Sequence, residues 1–409
     1  MAVRVVVTGM GAVTPVGNDV NTMWESFVSG THAIAPITKF DASGFDVSLA
    51  AEVKGFDPLM YMGKRDSQRC DSFTSFAIGA ASQAMEDSRI FGTVLSEKMG
   101  VYFSSCMGGV ETAESSAKSM IEKGREFVPP LTVPAMISNS AAAMIAIKYS
   151  LHGSCFSIST ACAASANAIG EAYRAIKDGY LDAAIAGGSD ACITEFGLSS
   201  FNACRALSKS TDPSRASIPF DLERSGFVMG EGAGALIFEK YEHAVSRGAH
   251  IYAEICGYGS SCDAFHITRP APSAEYAALS IKQSLENVEF DPSKVYFNAH
   301  GTSTKLNDET ETAAIKKAFG EENAKKLLIS STKSMTGHLL GAAAVVESIA
   351  AIKALNESVV PPTVGYEVFD PACDLNVCPN TAVKAQIDIA MTNSLGFGGH
   401  NACLAFKKI

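Results

Sequence analysis

The chain has 409 residues, 47% hydrophobic and 19% charged, which excludes a disordered or collagen-like polymer and a small disulfide scaffold and leaves room for about two or three domains. A net charge of −10 excludes a general nucleic-acid binder. Eleven cysteines are scattered without a Cys-x-x-Cys pair; Cys373 and Cys378 come closest, with no histidine cluster nearby, so the pattern fits buried thiols in a reducing cytoplasm rather than zinc ligands.

The chain opens directly into the β-branched run Val3 to Thr8, which leaves no room for a signal peptide, and no uncharged run reaches the ~18 residues of a membrane span. A soluble, cytoplasmic protein without a membrane partner is expected. In the first part, strands are expected at 3–8, 99–105, 155–160, 183–188 and 234–239. In the second they are expected at 251–258, 294–299, 327–331, 389–395 and 402–407. Amphipathic segments lie between them at 64–86, 138–149, 162–178, 275–287, 307–319 and 339–355. This alternation reads as α/β, with helices packed on sheets.

Gly9-Met10-Gly11 after the first strand hints at a dinucleotide loop. The third glycine is absent, however, Pro15 interrupts the helix start, and no acidic residue follows at the required spacing. The basic stretch Lys64 to Arg69 reads as a solvated face. A faint echo links Gly226-Phe227-Val228-Met229-Gly230 with Gly396-Phe397-Gly398-Gly399, each followed by an outgoing strand. It suggests a duplicated unit, residues 1–250 and 251–409.

Four segments could carry chemistry. Cys162 follows the strand at 155–160 and opens a helix that Ser159 or Thr160 can cap; there the helix dipole favours a thiolate and lowers the thiol pKa. It reads either as a nucleophile or as one more buried cysteine. His300-Gly301-Thr302-Ser303-Thr304 follows a strand end, where α/β sheets build their sites, although a loop histidine bonded to backbone has the same pattern. After the next strand comes Lys333-Ser334-Met335-Thr336-Gly337-His338, then a helix with Glu347 on an apolar face. That carboxylate needs a partner, Lys333 or a backbone donor, and an ordinary structural ion pair would look the same. The glycines of Asn393 to Asn401 permit positive φ and expose N–H groups suited to an oxyanion, as a tight turn also would.

In this order the motifs resemble the β-ketoacyl-acyl-carrier-protein synthases, the elongating condensing enzymes of fatty acid synthesis, and among them the type II synthases. The resemblance runs from Val5-Val6-Val7-Thr8-Gly9-Met10-Gly11 to the C-terminus and includes Pro219-Phe220-Asp221 and Gly230-Glu231-Gly232-Ala233-Gly234. It implies a thiolase-like fold, two duplicated halves in a five-layered α-β-α-β-α sandwich, in a homodimer. By match, Cys162 is the acyl-accepting nucleophile, His300 and His338 are the catalytic histidines, and Lys333 and Glu347 support them. Phe397 matches a gating residue whose N–H joins that of Cys162 in an oxyanion hole, beside Gly398 and Gly399. Thr302 and Thr304 match residues that hold a phosphopantetheine arm, and Met107, Phe201 and Leu340 fall at the acyl pocket. Asn298, Glu347, Asn393 and Ser394 fall near a monovalent-cation site found in some members.

The resemblance implies no resident cofactor, because the phosphopantetheine arm arrives on acyl- and malonyl-loaded acyl carrier protein. That partner is itself acidic, so docking is expected on a local basic patch of Arg65, Arg69, Arg125, Arg205 and Lys209. The implied reaction transfers an acyl group to Cys162, decarboxylates malonyl carrier protein and joins the two. Ser165, Leu395, His400 and Met107 depart from the commoner family residues and bear on chain length. A polyketide or aryl-polyene ketosynthase shares these residues, whereas a non-catalytic chain-length subunit would lack the cysteine.

Overall fold

Strands buried on both faces read as near-continuous runs of small and β-branched residues, and the chain contains several. In the computed structural model, which describes residues 3–409, every residue of β1 (Val5–Val13) and β4 (Ala183–Asp190) is buried. With β2 (Met99–Ser104), β3 (Cys155–Phe156) and β5 (Gly232–Lys240) they form a sheet ordered β3-β2-β4-β5-β1. The second part provides β6 (Ala253–Cys262), β7 (Val295–Asn298), β8 (Leu328–Ser330), β9 (Ile389–Gly396) and β10 (His400–Lys407), ordered β8-β7-β9-β10-β6. Numbered within its own half, each sheet has the order third, second, fourth, fifth, first. In each the first three of those are mutually parallel and the last two run antiparallel. The sheets touch along one seam, Val6 opposite Glu254 and Val7 opposite Ala253. This repeated topology gives the echo its meaning, since β5 and β10 are the same strand of the two halves.

Helices α1 (Ser72–Ser88) and α2 (Ser140–Tyr149) cover the outer face of the first sheet, and α4 (Glu275–Ser284) and α5 (Lys305–Phe319) that of the second. Between the sheets lie α3 (Ala164–Lys177) and α6 (Ala343–Glu357), completing five layers. The central core joins both sheets through Ile169, Ala172, Val346, Ile349, Leu404 and Phe406. Gly9 and Gly11 lie within β1 rather than in a phosphate loop. A Cβ on either would fall 2.3 Å from the Ala84 carbonyl oxygen or 2.0 Å from that of Ala80, so both glycines are required by the close approach of α1.

Each central helix is preceded by a short 3-10 turn, Ala161–Ala163 before α3 and Leu340–Ala342 before α6. Both turns begin with a non-glycine residue at positive φ, Ala161 at 51° and Leu340 at 52°. The first packs against Gly396 at the end of β9; in the second, the Gly341 N–H donates to Asp190 at the end of β4 (2.7 Å). The two turns therefore occupy equivalent places in the halves.

The strand expected at 155–160 ends at Phe156, because residues 157–160 leave the sheet to reach the first turn. The segment expected as one helix at 64–86 is a single turn, Lys64–Ser67, followed by α1, whose N-terminus Asp71 caps by accepting the Phe73 N–H. Helices at Val20–Ser29, Val110–Lys123 and Glu195–Ala203 were not expected; in the second of these only Val110 and Ser116 are buried, which leaves no apolar stripe to read. Among the described residues no helix is long and apolar enough to cross a membrane.

Candidate active site

Cys162 lies on the first of these turns, ahead of α3 rather than within it. Neither Ser159 nor Thr160 caps the helix: the intervening turn displaces them, and the Thr160 hydroxyl instead accepts a hydrogen bond from Asn167 Nδ2 (2.7 Å). The Cys162 N–H and the Phe397 N–H both reach the thiol sulfur. Burial pushes this thiol up to about 11, opposite to the expected lowering, while the Lys333 charge and the Phe397 N–H pull it back. At neutral pH the resting group is a thiol. The site supplies stabilisation where negative charge develops as the sulfur reacts.

His300 follows the end of β7, and His338 follows the short helix Lys333–Thr336. The Cys162 sulfur and one ring nitrogen of each histidine lie within 4.8 Å of one another, and the two rings meet edge to face at 5.2 Å. His338 Nδ1 accepts the Leu340 N–H (3.2 Å), which leaves the proton on Nε2, a buried atom with no partner. His300 Nδ1 is also buried and unpartnered. Burial, and after it the charge of Lys333, holds both imidazoles well below their ordinary pKa, and His338 adds to the effect on His300. The result is two neutral imidazoles beside a thiol.

Backbone contacts place these side chains. The N–H groups of His300 and Gly301 both donate to the Glu311 carboxylate at 2.7 Å, and Asn393 Nδ2 donates to it at 2.8 Å. Burial raises Glu311 to about 7. His338 is tied to the first half, its N–H donating to the Val228 carbonyl (2.7 Å) and its own carbonyl accepting the Gly230 N–H (2.9 Å). Lys333 and Glu347 form a buried ion pair, which Thr392 joins through Glu347 at 3.5 Å. Burial raises Glu347 and Lys333 lowers it.

Cys162, His300 and His338 are also the donor types of a soft transition metal, but the Lys333 charge acts on all three and opposes a cation there. A different set lies on β7 and β9. Asn298 Oδ1, Asn393 Oδ1 and Ser394 Oγ are buried without partners, and Asn298 lies opposite Thr392 in the β7–β9 pairing. These three orphaned oxygens are the donor type of a hard monovalent cation, whereas Glu347, the fourth residue expected there, is paired with Lys333.

A cavity of about 420 Å³ opens onto Cys162 and both histidines. Thr302 and Thr304 line it with their hydroxyls 3.0 Å apart, and Phe201 and Leu340 contribute apolar wall. Met107, expected at the acyl pocket, lies outside the lining and is 40% exposed, because the loop carrying it is drawn to Asp190 by backbone bonds that leave its side chain facing outward. Phe397 lines the cavity, while Gly398 and Gly399, at φ of 85° and 75°, form the hairpin tip behind it. Of the expected docking residues Arg205 stands at the cavity mouth. Arg65, Arg69 and Arg125 are exposed away from it, and the Lys209 charge is paired with Asp46 at 2.7 Å.

Four residues not singled out in the sequence complete the picture. Asp190, raised to about 6 by burial, accepts from Ser105, Cys106, Met107 and Gly341 and so ties together loops from both halves. Glu311 performs the corresponding task for His300. Arg269 and Lys305 join Arg205 as exposed cations on the cavity lining, and Lys305 could have been found from its place directly after Thr304.

Gly396 offers a direct test of the nucleophile turn. A Cβ there would fall 2.8 Å from the Thr160 carbonyl oxygen and 3.3 Å from the Cys162 nitrogen. Gly396→Ala is expected to slow acylation of the thiol by about 10² through displacement of the turn. Stopped-flow acylation at an unchanged rate would show that the turn tolerates the shift.

Comparison with known proteins is consistent along the whole chain. Residues 2–244 match the N-terminal domain model of β-ketoacyl synthases, and residues 252–367 match the C-terminal domain model. The chain is 44% identical over 408 residues to 3-oxoacyl-acyl-carrier-protein synthase 2 of Synechocystis sp., covering 99% of this chain and 98% of that protein. It is 45% identical over 408 residues to the protein of the same name from Staphylococcus aureus, with the same coverage. Among solved structures, a β-ketoacyl synthase from Burkholderia phymatum superposes with a TM-score of 0.91 at 32% identity, covering 100% of both chains. A type II polyketide ketosynthase, solved with its acyl-carrier protein, superposes with a TM-score of 0.91 at 34% identity, also covering 100% of both.

Proposed function

The chain belongs to the β-ketoacyl synthase family and is a condensing enzyme, and on that premise we propose that Cys162, His300 and His338 carry a decarboxylating Claisen condensation in fatty acid elongation. One observation carries this reading: the thiol and two neutral imidazoles converge within 4.8 Å while two N–H groups point at the sulfur. The half 1–250 supplies the nucleophile and the half 251–409 supplies the histidines; residues 1 and 2 lie outside the described residues.

The Cys162 sulfur attacks an acyl thioester on the carrier protein and loses its proton. The Cys162 and Phe397 N–H groups stabilise the tetrahedral oxyanion, and the carrier thiol leaves with a proton. Malonyl carrier protein then enters, its pantetheine arm held by Thr302 and Thr304. The malonyl C–C bond to the carboxylate breaks, CO2 departs, and the electron pair forms an enolate whose oxygen receives hydrogen bonds from the histidines. Neutral imidazoles suit this step, because an enolate needs donors and no carbon-bound proton is removed. The enolate carbon attacks the Cys162 thioester and expels the sulfur as a thiolate, giving a 3-oxoacyl carrier protein two carbons longer; the thiolate takes up one proton from solvent to regenerate the thiol. Burial, with Lys333 adding to it, holds the histidines neutral, and Lys333 supports developing charge on sulfur; Glu347 balances Lys333. The unpartnered oxygens of Asn298, Asn393 and Ser394 would hold a monovalent cation, which would supply fixed positive charge behind the site.

Acyl carrier protein is the proposed partner, acyl- and malonyl-loaded, and Arg205, Arg269 and Lys305 are its contacts at the mouth. Charge reversal at Arg205 and Arg269 together is expected to raise the apparent KM for carrier protein about tenfold or more at low salt while leaving a small acyl thioester substrate unaffected. Equal effects on both substrates would remove docking from these residues. A homodimer is proposed across the free edge of β3, where Phe156 is exposed. Polyketide extension uses the same residues, and the 34%-identical ketosynthase favours keeping it as the second reading. The deciding experiment is intact-mass analysis of Cys162 with acyl carrier proteins of graded length, followed by malonyl carrier protein. Acylation at Cys162 with CO2 release on extension supports condensation, and acceptance of the 3-oxoacyl product itself for further rounds of extension indicates the polyketide reading.

A further inference from the structure

The nucleophile turn is strained at Ala161 and unsupported by a helix cap, so something outside it must hold its shape. One buried side chain connects to it. Asn167, on the inner face of α3, donates from Nδ2 to Thr160 Oγ1 at 2.7 Å. Its Oδ1 accepts from Tyr258 Oη at 2.7 Å and from Ser260 Oγ at 3.3 Å, both on β6 of the other half. Tyr258 is itself fixed. Its ring fills the space beside Gly170, where a Cβ would meet it at 2.3 Å, and Arg174 lies over its face at 4.6 Å. Burial pushes the Tyr258 hydroxyl up to about 12, so it remains a neutral donor. Thr160 in turn accepts the Ala163 N–H through its carbonyl, which also abuts Gly396. Rotating Thr160 would therefore move the Cys162 N–H relative to that of Phe397.

We propose that Asn167 is a positioning residue that sets the oxyanion hole, clamping Thr160 to Tyr258 across the two halves so that the Cys162 and Phe397 N–H groups converge. Asn167 does not line the cavity and touches no reacting atom. The two half-reactions load it differently. Acyl transfer to Cys162 requires both N–H groups at the oxyanion. Malonyl decarboxylation relies on His300 and His338, which Glu311 and Val228 position independently of this clamp. The inference rests on the assignment of Cys162 as nucleophile.

The test compares Asn167→Ala, Thr160→Val and the double variant in two assays on the whole enzyme, acylation of Cys162 by acyl carrier protein and decarboxylation of malonyl carrier protein. Each single variant is expected to slow acylation about tenfold to thirtyfold with decarboxylation within about twofold of wild type, and the double variant is expected to be no slower than the worse single. Thr160→Ser, which keeps the hydroxyl, is expected to acylate like wild type. Equal loss in both assays, or additive losses in the double variant, would overturn the clamp. A wild-type enzyme that fails to acylate at Cys162 would instead overturn the assignment of the nucleophile.

Discussion

Cys162→Ala is expected to abolish acyl-enzyme formation and condensation, by on the order of 10⁴-fold or more, while leaving malonyl decarboxylation in place. The separation follows from geometry. The sulfur accepts the acyl group, but the enolate oxygen is served by ring nitrogens that do not depend on it for position. Those nitrogens are held by the Glu311 carboxylate and by backbone pairing with Val228 and Gly230. The reciprocal variants complete the dissection: His338→Ala and His300→Ala should acylate at Cys162 and then stall, with CO2 release lost. Intact-mass measurement reads the first half-reaction and labelled CO2 release the second. Condensation persisting in Cys162→Ala would place the nucleophile elsewhere.

Lys333→Met is expected to damage the enzyme in two separable ways. It leaves Glu347 buried without its partner, a change that costs about 3–5 kcal/mol of stability. It also removes the positive charge that helps hold His300 and His338 below their ordinary pKa, so both rings protonate at higher pH than in the wild type. The acid limb of the decarboxylation profile should therefore move upward, so that the rate falls below that of the wild type on the acid side, while burial, the larger cause, still keeps the rings neutral near pH 7. Adding Glu347→Leu to Lys333→Met replaces the ion pair with apolar atoms and should recover much of the melting temperature without restoring the rate. Recovery of both together would make Lys333 a purely structural residue.

Much of the layered architecture was legible because its strands are buried on both faces and appear as uninterrupted apolar runs. The reactive residues were legible for a related reason. His300 and Lys333 follow short strands directly, and Cys162 begins a helical pattern after one. Supporting residues were less visible. Asp190 and Glu311 act on backbone amides of segments distant from them in the chain, and nothing in their local surroundings marks them as different from other acids. Asn167 lies on an apolar helix face seven residues from Thr160, and its second partner is in the other half. The direction of the Cys162 shift was misjudged for the same reason. A helix N-terminus is a local feature that lowers a thiol, whereas burial arises only when both halves close over it. Met107 lies outside the cavity lining of the single chain, with its backbone tied to Asp190 and its side chain partly exposed.

The twin turns carry a historical consequence. If both halves descend from one ancestral unit, the present chain keeps two copies of that unit's turn. In one copy the middle position is Cys162; in the other it is Gly341, whose N–H is committed to Asp190, and the preceding Leu340 has become wall of the surviving cavity. With the nucleophile on one turn only, the other turn is free to shape substrate, and the duplicated protein has an asymmetric pocket that two identical turns could not form.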